Sequence, residues 1–388
     1  MTALRRRRTA AAVILPAVLL AAGCAGAPAT PPPATQAAPP APSLNTSLDT
    51  SAGTWAAVVM GGSAAQYNAF WQLFIRPAGS TRWRLVTPPG TADNGGLVLA
   101  GGGGPALVTG FRPSQDLTFT PLIQTGNGGQ AWSSLDPLDA ALASTPDALA
   151  VNPAGGQLLA LLAGGTVQAG APGGTTWQTL ASPKVLAATP AGQRCGLTAL
   201  TAAAYTPAGT PVLAGTCTRP GIAGLFAAGN ATWQAAGPAL PAALASQPVT
   251  VARLTRTAQG MTALLTAGSG PGTSLLAAWS ADGTHWTVSP PLALHGATLT
   301  SAAFGPGGTT AIITNAGHGQ SITPGGSSWT PLPALPSGTA TLAPGAGGTT
   351  DALAVHRGTL TVWQHAPGAT TWTTIQVINV PIPYGSSS

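Results

Sequence analysis

The sequence contains no glutamate. Charge of every kind is sparse: eight aspartates, one lysine and thirteen arginines make up 6% of 388 residues, against about a quarter in ordinary soluble proteins. Any carboxylate acid, base or nucleophile must therefore come from those eight aspartates. Four arginines, Arg5 to Arg8, sit at the N-terminus, and leaving them out reduces the formal +6 to +2, ten basic less eight acidic residues. Nucleic-acid binding is not expected, because it needs clustered Lys and Arg rather than scattered Arg in a Thr- and Gly-rich background. The five histidines, His285, His295, His318, His356 and His365, lack metal-ligand spacing, so no metal is expected. GNGGQA and GGGGPA fit Gly-x-Gly-x-x-Ala as strings, but neither opens a helix that would cradle a phosphate. No Gly-x-Ser-x-Gly elbow occurs, and no cofactor is expected.

What is present begins with an address. MTALRRRR is followed by TAAAVILPAVLLAAGC, a basic stretch, an apolar run and small residues before Cys24. This pattern is that of a secretory signal peptide over residues 1–23, with a run too short for a membrane-spanning helix. LAAGC resembles the bacterial lipobox, which implies export, lipidation of Cys24 and a place on the extracytoplasmic face of the cell membrane. Residues 24–50 are rich in Pro and Ala and lack an apolar period, so they are expected to be a disordered tether. Residues 381–388 are expected to be a flexible tail.

Between them, 51–380, tryptophan recurs. Trp83, Trp132, Trp177, Trp233, Trp286, Trp329 and Trp372 each follow a tight turn: PAGSTRW, GNGGQAW, APGGTTW, AAGNATW, SADGTHW, TPGGSSW, APGATTW. Within each unit, turn signals cut short apolar runs into about four strands. The pattern predicts an all-β protein, a seven-bladed β-propeller of four-stranded antiparallel blades; a pair of β-sandwiches would not need one Trp per unit in the same turn. Unit 1 is one strand short, and IQVINVP near the C-terminus is the candidate to supply it. The seven tryptophans are expected to be buried in or near the outermost strands, with Trp55 outside the rule.

The turns resemble the Asp-box, or BNR, repeat of the sialidase-like propellers, Ser/Thr-x-Asp-x-Gly-x-Thr-Trp. Thr125, Asn127, Gly129 and Trp132 follow it with Asn for Asp, and Ser280, Asp282, Gly283 and Trp286 follow it one residue shorter. The side-chain oxygen of Asp or Asn suits the turn's N–H groups, Gly suits positive φ, and Trp suits packing between sheets. The resemblance implies that the turn joins the third and fourth strands, away from any ligand, so these residues are read as structural.

A sialidase needs an arginine triad, an acid and a tyrosine assisted by a glutamate; without Glu that set is incomplete, and no catalytic residue is assigned. Phe111 to Ser114, FRPS, only faintly matches the family's arginine motif, and Arg76 leads into a turn. Asp93 and Asp351 meeting in the funnel beside Arg112 or Arg357 would favour an enzyme. Cys195 and Cys217 flank a predicted hairpin and are candidates for a disulfide. The leading reading is a non-enzymatic, membrane-anchored monomer that binds a protein or glycan at the envelope. The alternative is a sialidase-like glycoside hydrolase or lyase. A third reading, an assembly factor resembling the photosystem II propeller, shares only the repeat.

Overall fold

Short apolar runs between glycine-rich turns form antiparallel strands, four at a time. The group around Trp177 displays the cause. Its strands are Ala148–Val151, Leu158–Leu161, Val167–Gly170 and Trp177–Ala181, separated where Gly156, Gly164 and Gly165 take φ of 69°, 91° and 85°, values that side chains with a Cβ avoid. The first two strands are buried along their whole length, which is why they are continuous in Leu, Ala and Val rather than alternating.

The computed structural model describes residues 44–61, 70–88, 93–101, 106–113, 122–134, 146–171, 176–230 and 232–380, all within a unit spanning 35–388. Among them the strands fall into seven successive groups of four, over 45–85, 93–134, 148–181, 197–235, 249–288, 299–331 and 339–379, called here units 1 to 7. A two-residue strand, Leu292–Ala293, adds to the third strand of unit 5. In every unit the Trp-bearing turn joins the third strand to the fourth: Trp177 and Trp233 open their fourth strands, and the other five lie one residue before theirs. The signal peptide, Cys24 and the tail 381–388 lie outside the described residues.

Apolar clusters join the units in cyclic order. One is shared by units 1 and 2, the next by units 2 and 3, and so on through units 6 and 7. The last joins unit 7 to unit 1: Ala343, Leu353, Leu360 and Val362 meet Ala56, Val58, Phe74 and Trp83. Each sheet therefore covers the face its neighbour would otherwise expose, the arrangement that makes apolar burial continuous.

Residues 45–50, expected in the tether, are instead the first strand of unit 1. Asn45–Thr50 pairs antiparallel with Gly53–Gly61 and parallel with Leu299–Phe304 of unit 6. Leu44 and Leu48 are buried, and Thr46 Oγ1 donates to Ala302 O at 2.6 Å. Unit 1 is completed from its own N-terminal side, so Thr373–Asn379 lends it no strand and is the fourth strand of unit 7.

The tryptophans divide differently from the expectation. Trp83 and Trp329 are buried, whereas Trp132, Trp177, Trp233, Trp286 and Trp372 are half-buried, and the length of the fourth strand does not set the difference, since the two buried ones precede strands of two residues. Trp55, outside the repeat, is fully buried and meets Trp132 edge-on at 6.3 Å. Several indoles instead bond to the preceding unit just past its fourth strand: Trp132 Nε1 to Val86 O, Trp329 Nε1 to Pro290 O and Trp372 Nε1 to Pro333 O, at 3.1, 3.0 and 3.4 Å.

Two helices interrupt the pattern between units 3 and 4. Helix α1, Pro183–Ala187, is capped by Ser182, and α2, Pro190–Cys195, by Thr189; in both a proline follows the cap, where its missing N–H costs nothing. Gly196, at φ 66°, ends α2. A disulfide joins Cys195 to Cys217, with Cα atoms 5.1 Å apart. Cys195 ends a helix rather than lying on a hairpin strand; the hairpin begins at Leu197, which sits opposite Cys217.

Candidate binding site in the central cavity

The first strands of six units converge on one cavity. Its wall takes Thr46 and Leu48 from unit 1, Leu97 to Leu99 from unit 2, Ala148 and Leu149 from unit 3, Thr201 and Ala202 from unit 4, Arg253 to Thr255 from unit 5 and Phe304 from unit 6. Unit 7 contributes none of these, because units 6 and 1 pair directly through their first strands. About 70 Å³ of the cavity is open to the centre of a water-sized sphere, well below the roughly 300–1,000 Å³ of drug-sized ligand sites, so it admits a small group at most. Leu, Val, Ala and Phe make up most of the surface, with the hydroxyls of Thr46, Thr201 and Thr255 between them. Thr201 Oγ1 donates across to Val251 O at 2.5 Å.

Among the described residues, Arg253 is the one charged side chain of this wall. Desolvation lowers its pKa to about 10, with the charge of Asp147 acting in the opposite sense, so it stays a cation at neutral pH. Its Nη1 donates to Ala252 O at 2.6 Å. Such a wall can hold a small apolar group and orient one acceptor or anion; among the described residues no carboxylate lines it, and Asp147 is the one whose charge acts on Arg253.

Asp351, Asp49 and Asp282 are engaged elsewhere. Asp351 lies fully buried between units 7 and 1 rather than in the funnel. Its Oδ2 receives Arg76 Nη1 at 2.5 Å and Trp83 Nε1 at 2.8 Å, and its Oδ1 receives Gln364 Nε2 at 3.0 Å. Arg76 also lies over the Trp83 ring at 5.5 Å and donates to Thr54 Oγ1 at 3.2 Å. Gln376 clasps the Trp83 backbone on both sides, at 2.8 Å each. This latch ties unit 1 to unit 7 much as the Trp132, Trp329 and Trp372 indoles tie a unit to its predecessor, with a carboxylate in place of a carbonyl. Arg76, predicted to be only a turn residue, is part of it. Arg357 occupies an exposed turn at φ 46°, and the side chains of Asp93 and Arg112 lie outside the described residues, as do Tyr67, Asp116, Asp136, Asp139 and Tyr384.

Asp49 accepts from Thr54 Oγ1 at 3.0 Å beside the latch. Burial raises its carboxyl above the ordinary 3.8, outweighing the Thr54 hydrogen bond and the Arg76 charge. The folded state thus binds this proton more readily than the unfolded chain. The resulting stability is fully present below the unfolded pKa and is lost as pH rises through the folded one. Asp49→Asn is expected to remove that loss, so that its stability relative to wild type improves from acid to neutral pH in denaturant melts. A relative stability that falls toward neutral pH would overturn the assignment.

Asp282 is held in its turn. Its Oδ1 accepts the N–H groups of His285 at 2.8 Å and Thr284 at 2.7 Å, and Oδ2 lies 2.6 Å from His285 Nδ1. Those bonds, the His285 N–H first, keep its carboxyl well below the usual carboxylate range. Ser280 Oγ accepts from Gly283 N, whose φ is 85°. Asn127 does the same in unit 2, accepting from Gln130 and Ala131, while Thr125 Oγ1 accepts from Gly129 N. In units 6 and 7, with proline at the second position, backbone bonds close the turn, Gly326 N to Thr323 O and Ala369 N to Ala366 O, and in unit 7 His365 Nε2 also lies 2.7 Å from Ala369 O.

Tyr205 is buried, which pushes its hydroxyl up to about 12, and it packs in the core rather than in the cavity. Among the described residues no three His, Cys, Asp or Glu side chains gather as a metal site.

No protein-family model matches the chain, and no curated protein matches it. Solved structures do. The chain is similar to the β-propeller domain of Cps50 (Swd1) from Myceliophteria thermophila, with 12% identity, 82% of this chain and 96% of that one covered, and a TM-score of 0.51. The fold is a β-propeller. The periplasmic gluconolactonase PpgL of Pseudomonas aeruginosa is similar over 84% and 96% of the two chains, at 11% identity and a TM-score of 0.51. The GH74 xyloglucanase of Xanthomonas campestris is similar at 14% identity and a TM-score of 0.51, with 85% of this chain but only 52% of the xyloglucanase covered. At these identities the propeller alone is shared; function has to be argued from the site.

Proposed function

We propose that the chain is an exported β-propeller of seven blades, lipid-anchored through Cys24, that binds a protein or glycan at the cell envelope and performs no chemistry itself. The observation that carries this reading is the cavity wall, where among the described residues a single guanidinium, with the charge of one carboxylate, Asp147, acting on it, stands among Leu, Val, Ala, Thr and Phe, and no second carboxylate lines the wall. Glycoside hydrolysis calls for two carboxyl groups about 5 to 9.5 Å apart across the scissile bond. Asp351 and Asp282 are instead committed to a buried latch and a turn.

Purified protein is expected to leave fluorogenic glycosides unhydrolysed. Turnover that Asp93→Asn abolishes would replace this reading with a carbohydrate-active enzyme. Anchoring is tested separately: Cys24→Ala should move the protein from membranes to the soluble fraction, since diacyl plus N-acyl chains hold stably where one chain does not. A variant that stays on membranes would defeat the lipid-anchor reading and leave the binding reading intact.

A further inference from the structure

Acidic residues are missing from the middle of the chain. Between Asp147 and Asp282 there is none, while Lys184, Arg194, Arg219, Arg253 and Arg256 give 148–281 a formal charge of +5. Arg253 faces the cavity and Arg256 is half-buried. The other three are exposed and cluster on one feature, the helical insertion between units 3 and 4 together with the loop its disulfide clamps.

That feature is rigid. Leu186, Ala191 and Cys195 are buried in the core shared by units 3 and 4. Thr218 N donates to Gly196 O and Arg219 N to Cys195 O, at 3.0 and 3.1 Å, so the Arg219 loop lies directly on the end of α2. The insertion connects the fourth strand of unit 3 to the first of unit 4, and the clamped loop connects the second and third strands of unit 4. In an up-and-down sheet those connections share one end, opposite the Trp-bearing turn. Beside Lys184, Val185 is 59% exposed, which makes an apolar contact within a cationic rim.

We propose that this disulfide-clamped insertion is the docking surface for an acidic protein segment that carries apolar side chains. The inference rests on the binding reading above and names the partner's chemistry. Charge complementarity selects an anion, and the exposed valine selects one with apolar groups. An anionic membrane is the poorer fit, since lipid-binding patches gather about four to eight Lys or Arg and this feature presents three. A polyanionic glycan is poorer too, since 182–196 and 217–223 contain no aromatic residue on which a sugar ring could stack. A pre-ordered surface loses little entropy on binding, which suits a short segment.

The test is fluorescence anisotropy with a labelled synthetic peptide alternating aspartate and leucine, alongside phosphatidylglycerol vesicles and polygalacturonate. The peptide is expected to bind the full chain, more weakly as salt rises. Lys184→Gln/Arg194→Gln/Arg219→Gln should reduce its affinity at least about tenfold, and Val185→Ser should reduce it severalfold. Arg82→Gln/Arg357→Gln, which removes exposed cations elsewhere, should leave it unchanged. Unchanged affinity in the triple variant, equal loss in the control variant, no peptide binding by wild type, or tighter binding to vesicles or polygalacturonate would each overturn the assignment. Envelope binding that survives in the triple variant would overturn this surface while leaving the binding reading in place.

Discussion

Asp351→Ala is expected to destabilise the protein by about 3 to 5 kcal/mol, the cost of breaking a buried ion pair by removing one partner. The carboxylate is fully buried and serves three donors at once, Arg76, Trp83 and Gln364. Its loss strands a guanidinium that is itself only 12% exposed, and two further N–H groups. Asp351→Asn keeps the shape and one acceptor, so it should fall between wild type and alanine. Arg76→Met should also be severe, because it leaves the carboxylate buried and unpaired. Adding Asp351→Leu to it should recover part of the loss, since a buried pair replaced by apolar side chains is often neutral. Urea midpoints at constant slope measure all four variants. A double variant worse than Arg76→Met alone would mean that the latch contributes through more than charge compensation.

Trp83→Ala should cost about 3 to 5 kcal/mol, as for a large core aromatic. The side chain is 2% exposed, packs in the cluster joining units 7 and 1, donates to Asp351 and lies beneath Arg76. Trp177 occupies the corresponding turn position but is half-buried, so Trp177→Ala should cost well under half as much. Residues in direct contact do not add, so Trp83→Ala in the Asp351→Ala background should cost less than in wild type. Equal losses at Trp83 and Trp177 would defeat the claim that the first unit's tryptophan has a distinct closing role.

The repeating turns were legible because they are local. Gly, Pro, Ser, Asn and Asp before a tryptophan specify backbone angles within a few residues, and the strands between them are short apolar runs, so an all-β chain of recurring four-stranded units follows from patterns a few residues long. The helical insertion was signalled as well, by Ser182-Pro183 and Thr189-Pro190, each a cap followed by proline, although the surrounding strands drew attention away from it. The strand at Asn45–Thr50 was not legible: only Leu44 and Leu48 mark it, in a stretch whose Pro- and Ala-rich neighbours suggest a tether, and it becomes a strand through partners 3 to 11 and 256 residues away.

By itself the sequence determined the unit, its turns and the poverty of acidic groups, since each depends on composition or on neighbours along the chain. Tertiary structure alone decided how the units meet. Arg76, Trp83, Asp351, Gln364 and Gln376 lie in two segments separated by 268 residues at the Trp83 to Asp351 bond, and of these the repeat marks only Trp83. It also decided that six units wall the cavity, and that Arg253 stands in it while Asp351 does not. Burial and pairing of single charges depend on which surfaces close over them, and that is fixed only when the last sheet packs against the first.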